Sequence, residues 1–365
     1  MKYIKHRIYG ALFSLFKVFP IKKNRITFII DSGKSFEGNL DYVKREFEKR
    51  GDFEYNFFYK DKLSFKAFKN LATSHYVFLN DNFFPIAFMN FKKGAVVTQL
   101  WHAPGASKKF GASVDKDSIE ILKKISENTD YLIVSSKNIE DYYSEAFQIS
   151  KDKIKPLGLP RADYYFENHD INDLKSKFLH KYDIDDDKEI VLYAPTFRDE
   201  EKYNNVFDYL DLDKFNETLG DQYVLALRLH PKIKDFYKED IAAKGKYIDC
   251  SDYASEQELL LISDILITDY SSIMIEFAML NKPIIFFAYD FDSYMTKERG
   301  FYFDYKLNVP GLVVNDSNQL IEVIVNDEFD ETKMSNFVKT QFDAIDGKSS
   351  ERVVDFLLEY GGKNV

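Results

Sequence analysis

Residues 263–289, SDILITDYSSIMIEFAMLNKPIIFFAY, constrain the fold more than any other stretch, because they read as strand, polar turn, helix and second strand without interruption. Residues 264–268 form a short apolar run suited to a buried parallel strand, and Ile273, Ile275, Phe277, Ala278 and Leu280 follow at helical spacing. Asn281, Lys282 and Pro283 end the helix, and residues 283–287 supply the next strand. Between strand and helix lie Thr268, Asp269, Tyr270, Ser271 and Ser272. Hydroxyls and free N–H groups at the positive end of a helix suit a phosphate or diphosphate, and a serine there is also the commonest N-cap.

A chain of 365 residues is long enough for two domains, each with its own core. The single cysteine, Cys250, excludes an intramolecular disulfide and a cysteine-based zinc site, which fits a reducing compartment. A net charge of −10 argues against a nucleic-acid partner. The distribution of that charge says more. Residues 1–30 contain no acidic side chain, whereas Lys2, Lys5, Arg7, Lys17, Lys22, Lys23 and Arg25 are basic. Ile4, Ile8, Leu12, Leu15, Phe16 and Phe19 recur among them at helical spacing, giving an apolar face with cationic flanks. Residues 1–24 therefore read as an amphipathic segment for an anionic membrane surface, too short and too charged to span a bilayer. The same face would equally pack on the body of the protein.

Further strands are expected at residues 25–30, 54–59, 76–79, 95–100 and 131–134, separated by charged, periodic segments. A second series follows at 190–194, 223–229, 247–249 and 311–314. Alternation of strands and helices implies α/β domains with doubly wound parallel sheets, whose functional loops leave the strand C-termini. The boundaries expected are an N-terminal domain over 25–168 and a C-terminal domain over 169–365. Three strand-end loops carry chemistry. TQLWHAPGASKKFG places His102 after the only tryptophan, Trp101, and before Lys108 and Lys109 on a loop read as flexible. Pro195, Thr196, Phe197, Arg198 and Asp199 put a guanidinium where it would clamp a phosphate, or else pair with Asp199 or Glu200. Arg228-Leu229-His230-Pro231 gives the second half a histidine in a matching position. The acidic run Asp183, Asp185, Asp186 and Asp187 reads as a solvated loop, and no cluster is spaced for a metal.

Taken as an ordered set, WHAPGASKKFG, GLPRAD, YAPTFRD, RLHP, DILITDYSSIMIEFAMLNKPIIFF and YDFDSYMTKERGFYFDY resemble the CDP-glycerol glycerophosphotransferase family of teichoic acid synthesis. The resemblance covers roughly residues 100–305, and Ala103-Pro104 departs from the glycine that commonly follows the first histidine in the family. It implies a GT-B-like fold of two Rossmann-like domains facing across a cleft, with nucleotide on the C-terminal one. It also implies a peripheral protein on the cytoplasmic side of the cell membrane, using CDP-glycerol as donor and an undecaprenyl-diphosphate-linked acceptor, with no tightly bound cofactor. In length the chain looks like the shorter primase type or a compact polymerase. His102 becomes the candidate general base and His230 the diphosphate-contacting group. Thr196, Arg198, Thr268, Asp269, Ser271 and Ser272 fall on the donor side, as does Glu276 toward a ribose hydroxyl; Lys108 and Lys109 fall on the acceptor side.

CDP-ribitol is an alternative donor. Other readings are a GT-B sugar transferase, a nucleotide-sugar epimerase, or a non-catalytic membrane protein that keeps a nucleotide pocket, since a fold alone does not fix chemistry.

Overall fold

The computed structural model describes residues 3–233, 247–297 and 300–361, so Lys2 of the basic segment lies outside the described residues. The chain divides into two compact units, one formed by Met1–Phe166 with Thr340–Val365 and the other by Glu167–Lys339. Each contains one six-stranded sheet whose strand pairs are all parallel.

In the first unit the strands are β1 (Lys22–Ile30), β2 (Glu54–Tyr59), β3 (Ser74–Leu79), β4 (Val96–Gln99), β5 (Tyr131–Val134) and β6 (Ile154–Pro156), ordered β2-β1-β3-β4-β5-β6. Parallel strands between helical layers are buried on both faces, which is why Ile26, Phe28, Ile29 and Ile30 of β1 are all apolar and all inside. Phe28 lies in register with Phe57 and Phe78 and stacks on both, at 5.6 and 5.3 Å between ring centroids. Such cross-strand aromatic pairs fix the register of the sheet. Strand β6 was not foreseen. Its three residues end in Pro156, which only an edge strand tolerates, and it pairs with β5 alone.

In the second unit β7 (Glu189–Ala194), β8 (Tyr223–Leu227), β9 (Ile248–Asp249), β10 (Ile265–Thr268), β11 (Ile284–Phe287) and β12 (Leu312–Val314) are ordered β12-β11-β10-β7-β8-β9. The order reverses between β7 and β10 here, and between β1 and β3 in the first unit. Ligands of such sheets bind outside the strand C-termini at these reversals.

The expected C-terminal domain over 169–365 requires correction, because residues 340–365 return to the first unit. The helix Ser349–Tyr360 buries Val353, Val354 and Leu357 among Leu40, Val43 and Phe47. Its first turn is capped from the GLPRAD segment: the Asp163 carboxylate accepts from the amides of Ser349 (2.9 Å) and Ser350 (2.7 Å). An amphipathic helix shows which face it buries but not against what.

The N-terminal helix Ile4–Leu15 docks on the first unit through Gly10 and Phe13, with the Phe13 and Phe91 rings 4.9 Å apart. A β-carbon on Gly10 would run into the Phe88 carbonyl. Gly10→Val is therefore expected to destabilise the first unit by about 1–3 kcal/mol. A lower urea midpoint would register this; an unchanged midpoint would mean that the helix is not seated on Phe88.

Candidate active site

In the second unit the loops leaving β7, β10 and β11 are assembled on one buried guanidinium. Arg198 is 2% exposed, and Asp269 and Asp290, which flank it, are likewise buried. Its Nε and Nη2 donate to Asp290 (2.7 and 2.9 Å), and its Nη1 donates to Asp269 (2.8 Å) and to the Thr196 carbonyl. Tyr270, Tyr294 and Tyr289 place their rings 4.9, 5.3 and 5.5 Å from the cation. Burial alone would lower the Arg198 pKa, but the charge of Asp269 and the Asp290 hydrogen bond outweigh it and raise it, so the cation persists. Arg198 is thus no free phosphate clamp, and its partners are not the adjacent Asp199 or Glu200 that the sequence suggested. It orders the loop that carries Thr196, and Asn204 pins the Arg198 backbone reciprocally, accepting from its amide (2.7 Å) and donating to its carbonyl (2.8 Å).

Asp269 also accepts from the Thr196 amide at 2.9 and 3.0 Å. Thr268 donates its hydroxyl to the Ala194 carbonyl (2.8 Å), so this buried group bolts β10 to β7 and is not turned toward a ligand. Glu276 is buried in the first turn of the helix Ile273–Met279. The more accessible groups are Ser271 and Ser272, both partly exposed. The Ser271 hydroxyl takes the cap-type bond from the Ile273 amide (3.3 Å), whereas Ser272, the formal N-cap, makes none. The Thr196 hydroxyl is buried and has no partner among the described residues. His230 is exposed beyond the end of β8, its ring 5.8 Å from that of Phe197. Its Nδ1 accepts from the Lys232 amide (3.2 Å), which assigns the ring proton to Nε2, a donor suited to a phosphate oxygen.

In the first unit the strand-order reversal brings Asp31, from the end of β1, together with Lys60 and Asp81; the Lys60 ammonium pairs with both carboxylates, at 3.0 and 2.5 Å. Burial lowers the Lys60 pKa, and hydrogen bonds to the two carboxylates more than reverse the effect. Beside this cluster the His102 Nδ1 lies 3.2 Å from the Asn80 carbonyl. A carbonyl only accepts, so Nδ1 carries the proton and Nε2 keeps its lone pair. Burial pushes the His102 pKa below 6.5; Asp81 and the Asn80 bond oppose the shift, and Lys34 reinforces it.

The loop bearing His102, read as flexible from its sequence, is tied down. Trp101 packs on His102 and on Phe110 with centroids 4.2 and 5.6 Å away. The Tyr143 hydroxyl donates to the Gly105 carbonyl (2.7 Å), and Gln341 accepts from the Ala106 amide (2.8 Å) and donates to its carbonyl (3.3 Å). Lys109 is exposed and Lys108 partly so. Asn39, Tyr143, Gln341 and Asp290 were missed by sequence reasoning because each acts on a loop distant in sequence, and Asn204 because nothing in the sequence marks an asparagine six residues on as the partner of the Arg198 backbone. Among the described residues no group of three or more histidine, cysteine, aspartate or glutamate side chains is placed to hold a metal ion.

Comparison with known proteins gives a consistent picture. The model of the CDP-Glycerol:Poly(glycerophosphate) glycerophosphotransferase family matches residues 11–359. The chain is 36% identical over 365 residues to the teichoic acid poly(ribitol-phosphate) polymerase of Bacillus spizizenii, covering 96% of this chain but 59% of that protein. It is 32% identical to the teichoic acid glycerol-phosphate primase of Bacillus subtilis, covering 92% of each. A variant of the wall teichoic acid polymerase TagF superposes with a TM-score of 0.79 at 26% identity, over 98% of this chain and 95% of that one. That polymerase has also been solved after a soak with CDPG, matching at a TM-score of 0.77 and 24% identity over 98% and 94% of the two chains.

Arg198→Ala would leave two buried carboxylates without their cation, a loss of about 3–5 kcal/mol. Arg198→Lys should recover only part of it, since an ammonium lacks the planar fork that reaches both partners. Urea unfolding checks this. An unchanged midpoint together with lost nucleotide binding would return Arg198 to the role of a ligand clamp.

Proposed function

The chain belongs to the CDP-glycerol:poly(glycerophosphate) glycerophosphotransferase family, and from that premise we propose that it transfers a polyol phosphate from a CDP-activated donor to a hydroxyl of a teichoic-acid-type acceptor, releasing CMP. The observation that carries the reading is the state of His102, whose Nδ1 is bonded to the Asn80 carbonyl and whose pKa is lowered by burial. A neutral imidazole with a free Nε2 lone pair is a base at neutral pH.

In the proposed reaction Nε2 takes the proton of the acceptor hydroxyl as its oxygen attacks the phosphorus nearer the polyol. The bond from that phosphorus to the bridging oxygen breaks, and CMP leaves with the electron pair. Positioning and charge stabilisation dominate such transfers. On the donor side, His230 would donate Nε2–H to the diphosphate, with Ser271, Ser272 and Thr196 adding hydroxyls. Lys108 and Lys109 would meet the acceptor's own phosphates. The family description names CDP-glycerol, whereas the higher identity is to a ribitol-phosphate polymerase, so both donors belong in the test.

We also propose that the acceptor is lipid-linked, on undecaprenyl diphosphate, and that the protein works at the cytoplasmic face of the membrane. Among the described residues no helix is long and apolar enough to cross a bilayer. The N-terminal helix supports docking instead: Ile4, Ile8, Leu15 and Val18 are exposed beside Lys5 and Arg7. Charge reversal at Lys5 and Arg7 is expected to weaken binding to anionic vesicles while sparing turnover of a soluble acceptor; unchanged binding would assign docking to another surface.

Purified protein given CDP-glycerol or CDP-ribitol and a lipid-linked acceptor should release CMP and extend the acceptor, and failure with both donors would refute the reading. His102→Ala should lose about 10²–10⁴ in turnover yet bind donor almost as well as the parent. His230→Ala should lose donor binding as well. The pH profile carries a sign. His102 must be neutral, so the acid limb of kcat/KM should lie below 6.5. Asp81 favours the imidazolium, so Asp81→Asn should move that limb to still lower pH. A limb that stays in place would remove Asp81 from the environment of the base.

A further inference from the structure

The peptide unit that delivers His102 is held in an unusual conformation by a side chain outside all the motifs above. Trp101 has φ of +57°, in the left-handed region that bulky residues avoid. Both ends of the residue are bonded to side chains. Its amide donates to Gln99 Oε1 (2.9 Å), and its carbonyl accepts from Asn39 Nδ2 (2.7 Å). Asn39 is fully buried at the start of the helix Asn39–Arg50, directly after the loop that leaves β1. Its Nδ2 also reaches the Leu100 carbonyl (3.5 Å), and its Oδ1 accepts from the Arg161 amide (2.8 Å). One carboxamide thus joins the loops after β1, β4 and β6.

We infer that Asn39 is the positioning residue of the transferase reaction, holding Trp101 left-handed so that His102 turns back onto the Asn80 carbonyl with Nε2 presented. The inference rests on the proposed role of His102. The site demands a side chain that donates to one backbone group and accepts from another at the same reach, which a carboxamide does and an ionised carboxylate does not. Asn39→Asp is nearly isosteric, keeps the acceptor for Arg161 and loses the donor for Trp101. Displacing a base by about 1 Å costs on the order of 10²-fold in rate.

The protein supplies its own probe, because Trp101 is the only tryptophan and its ring lies 4.2 Å from the His102 ring. An imidazolium in contact with indole quenches its emission, so fluorescence against pH reads the protonation of His102 within its field of Asp31, Lys34, Lys60 and Asp81. The parent full-length protein should show one emission step, and His102→Ala should abolish it. Asn39→Asp and Asn39→Ala should lose the step or move it toward 6.5, with kcat reduced about 10²-fold and the KM for the CDP-activated donor within about twofold of the parent. A folded Asn39→Asp protein that keeps both the parent's step and its kcat overturns the inference. If His102→Ala keeps its turnover, the base assignment falls instead, and the emission step alone decides whether Asn39 holds Trp101: a step unchanged in both Asn39 variants refutes it.

Discussion

The ionic contact between Arg198 and the carboxylates of Asp269 and Asp290 is the constraint on which the loops of the second unit depend. Removing three charges from water is costly, and the arrangement is tolerated because nearly every polar atom is answered. The guanidinium fork meets both carboxylates, Tyr270 adds a hydroxyl to Asp290 (3.0 Å), and the Thr196 amide donates to Asp269. A pair of this kind adds little net stability over an apolar equivalent, but its geometry fixes which loops meet. Here the loops come from β7, β10 and β11, and two of those strands flank the reversal of strand order. The groups left facing outward, Ser271 and Ser272 among them, sit on backbone that this network holds.

The first unit solves the same problem with a neutral group. Its loops converge on the Asn39 carboxamide, which needs no counter-ion and so leaves the local charge to Asp31, Lys60 and Asp81. The difference fits the two roles proposed for these units, base in the first and donor site in the second. A general base must have its protonation set by a few chosen neighbours, and a buried cation near His102 would depress its basicity further. A donor site has to meet a diphosphate, and a cation behind its loop does no such harm.

Legibility from sequence followed the physics of burial. Strands such as 76–79 and 131–134 could be read because parallel strands covered on both faces must be apolar throughout. β6 was invisible, being three residues long with a proline on an edge. Thr268 and Arg198 were placed correctly at strand ends, but their direction was not readable. The hydroxyl of Thr268 faces the neighbouring strand, and the second partner of Arg198, Asp290, stands 92 residues away in sequence. For His102, spacing located the ring, whereas its tautomer depends on the Asn80 carbonyl, which carries no side-chain signature at all. Helix Ser349–Tyr360 shows the remaining limit: nothing in its own residues names a partner, and only tertiary structure gives Leu40, Val43 and Phe47 as what it covers.

The N-terminal helix shows why two readings of one pattern need not compete. A helix of 12 residues presents more than one stripe, and here packing takes up only one of them. Gly10 and Phe13 are buried against the first unit, where Phe91 receives the Phe13 ring. Ile4, Ile8 and Leu15 fall on the other side, and Leu15 and the following Val18 remain 69% and 78% exposed. Folding gains little from Leu15 and Val18, since apolar area stabilises only when it leaves water, at about 25 cal/mol per Å². Lys5 and Arg7 alternate with the exposed stripe, so its charge pattern opposes association with another basic surface and favours an anionic one. A rigid seat formed by the Gly10 contact would then hold the exposed stripe at a fixed angle to the first unit, which is what a transferase would need if its acceptor were confined to a bilayer.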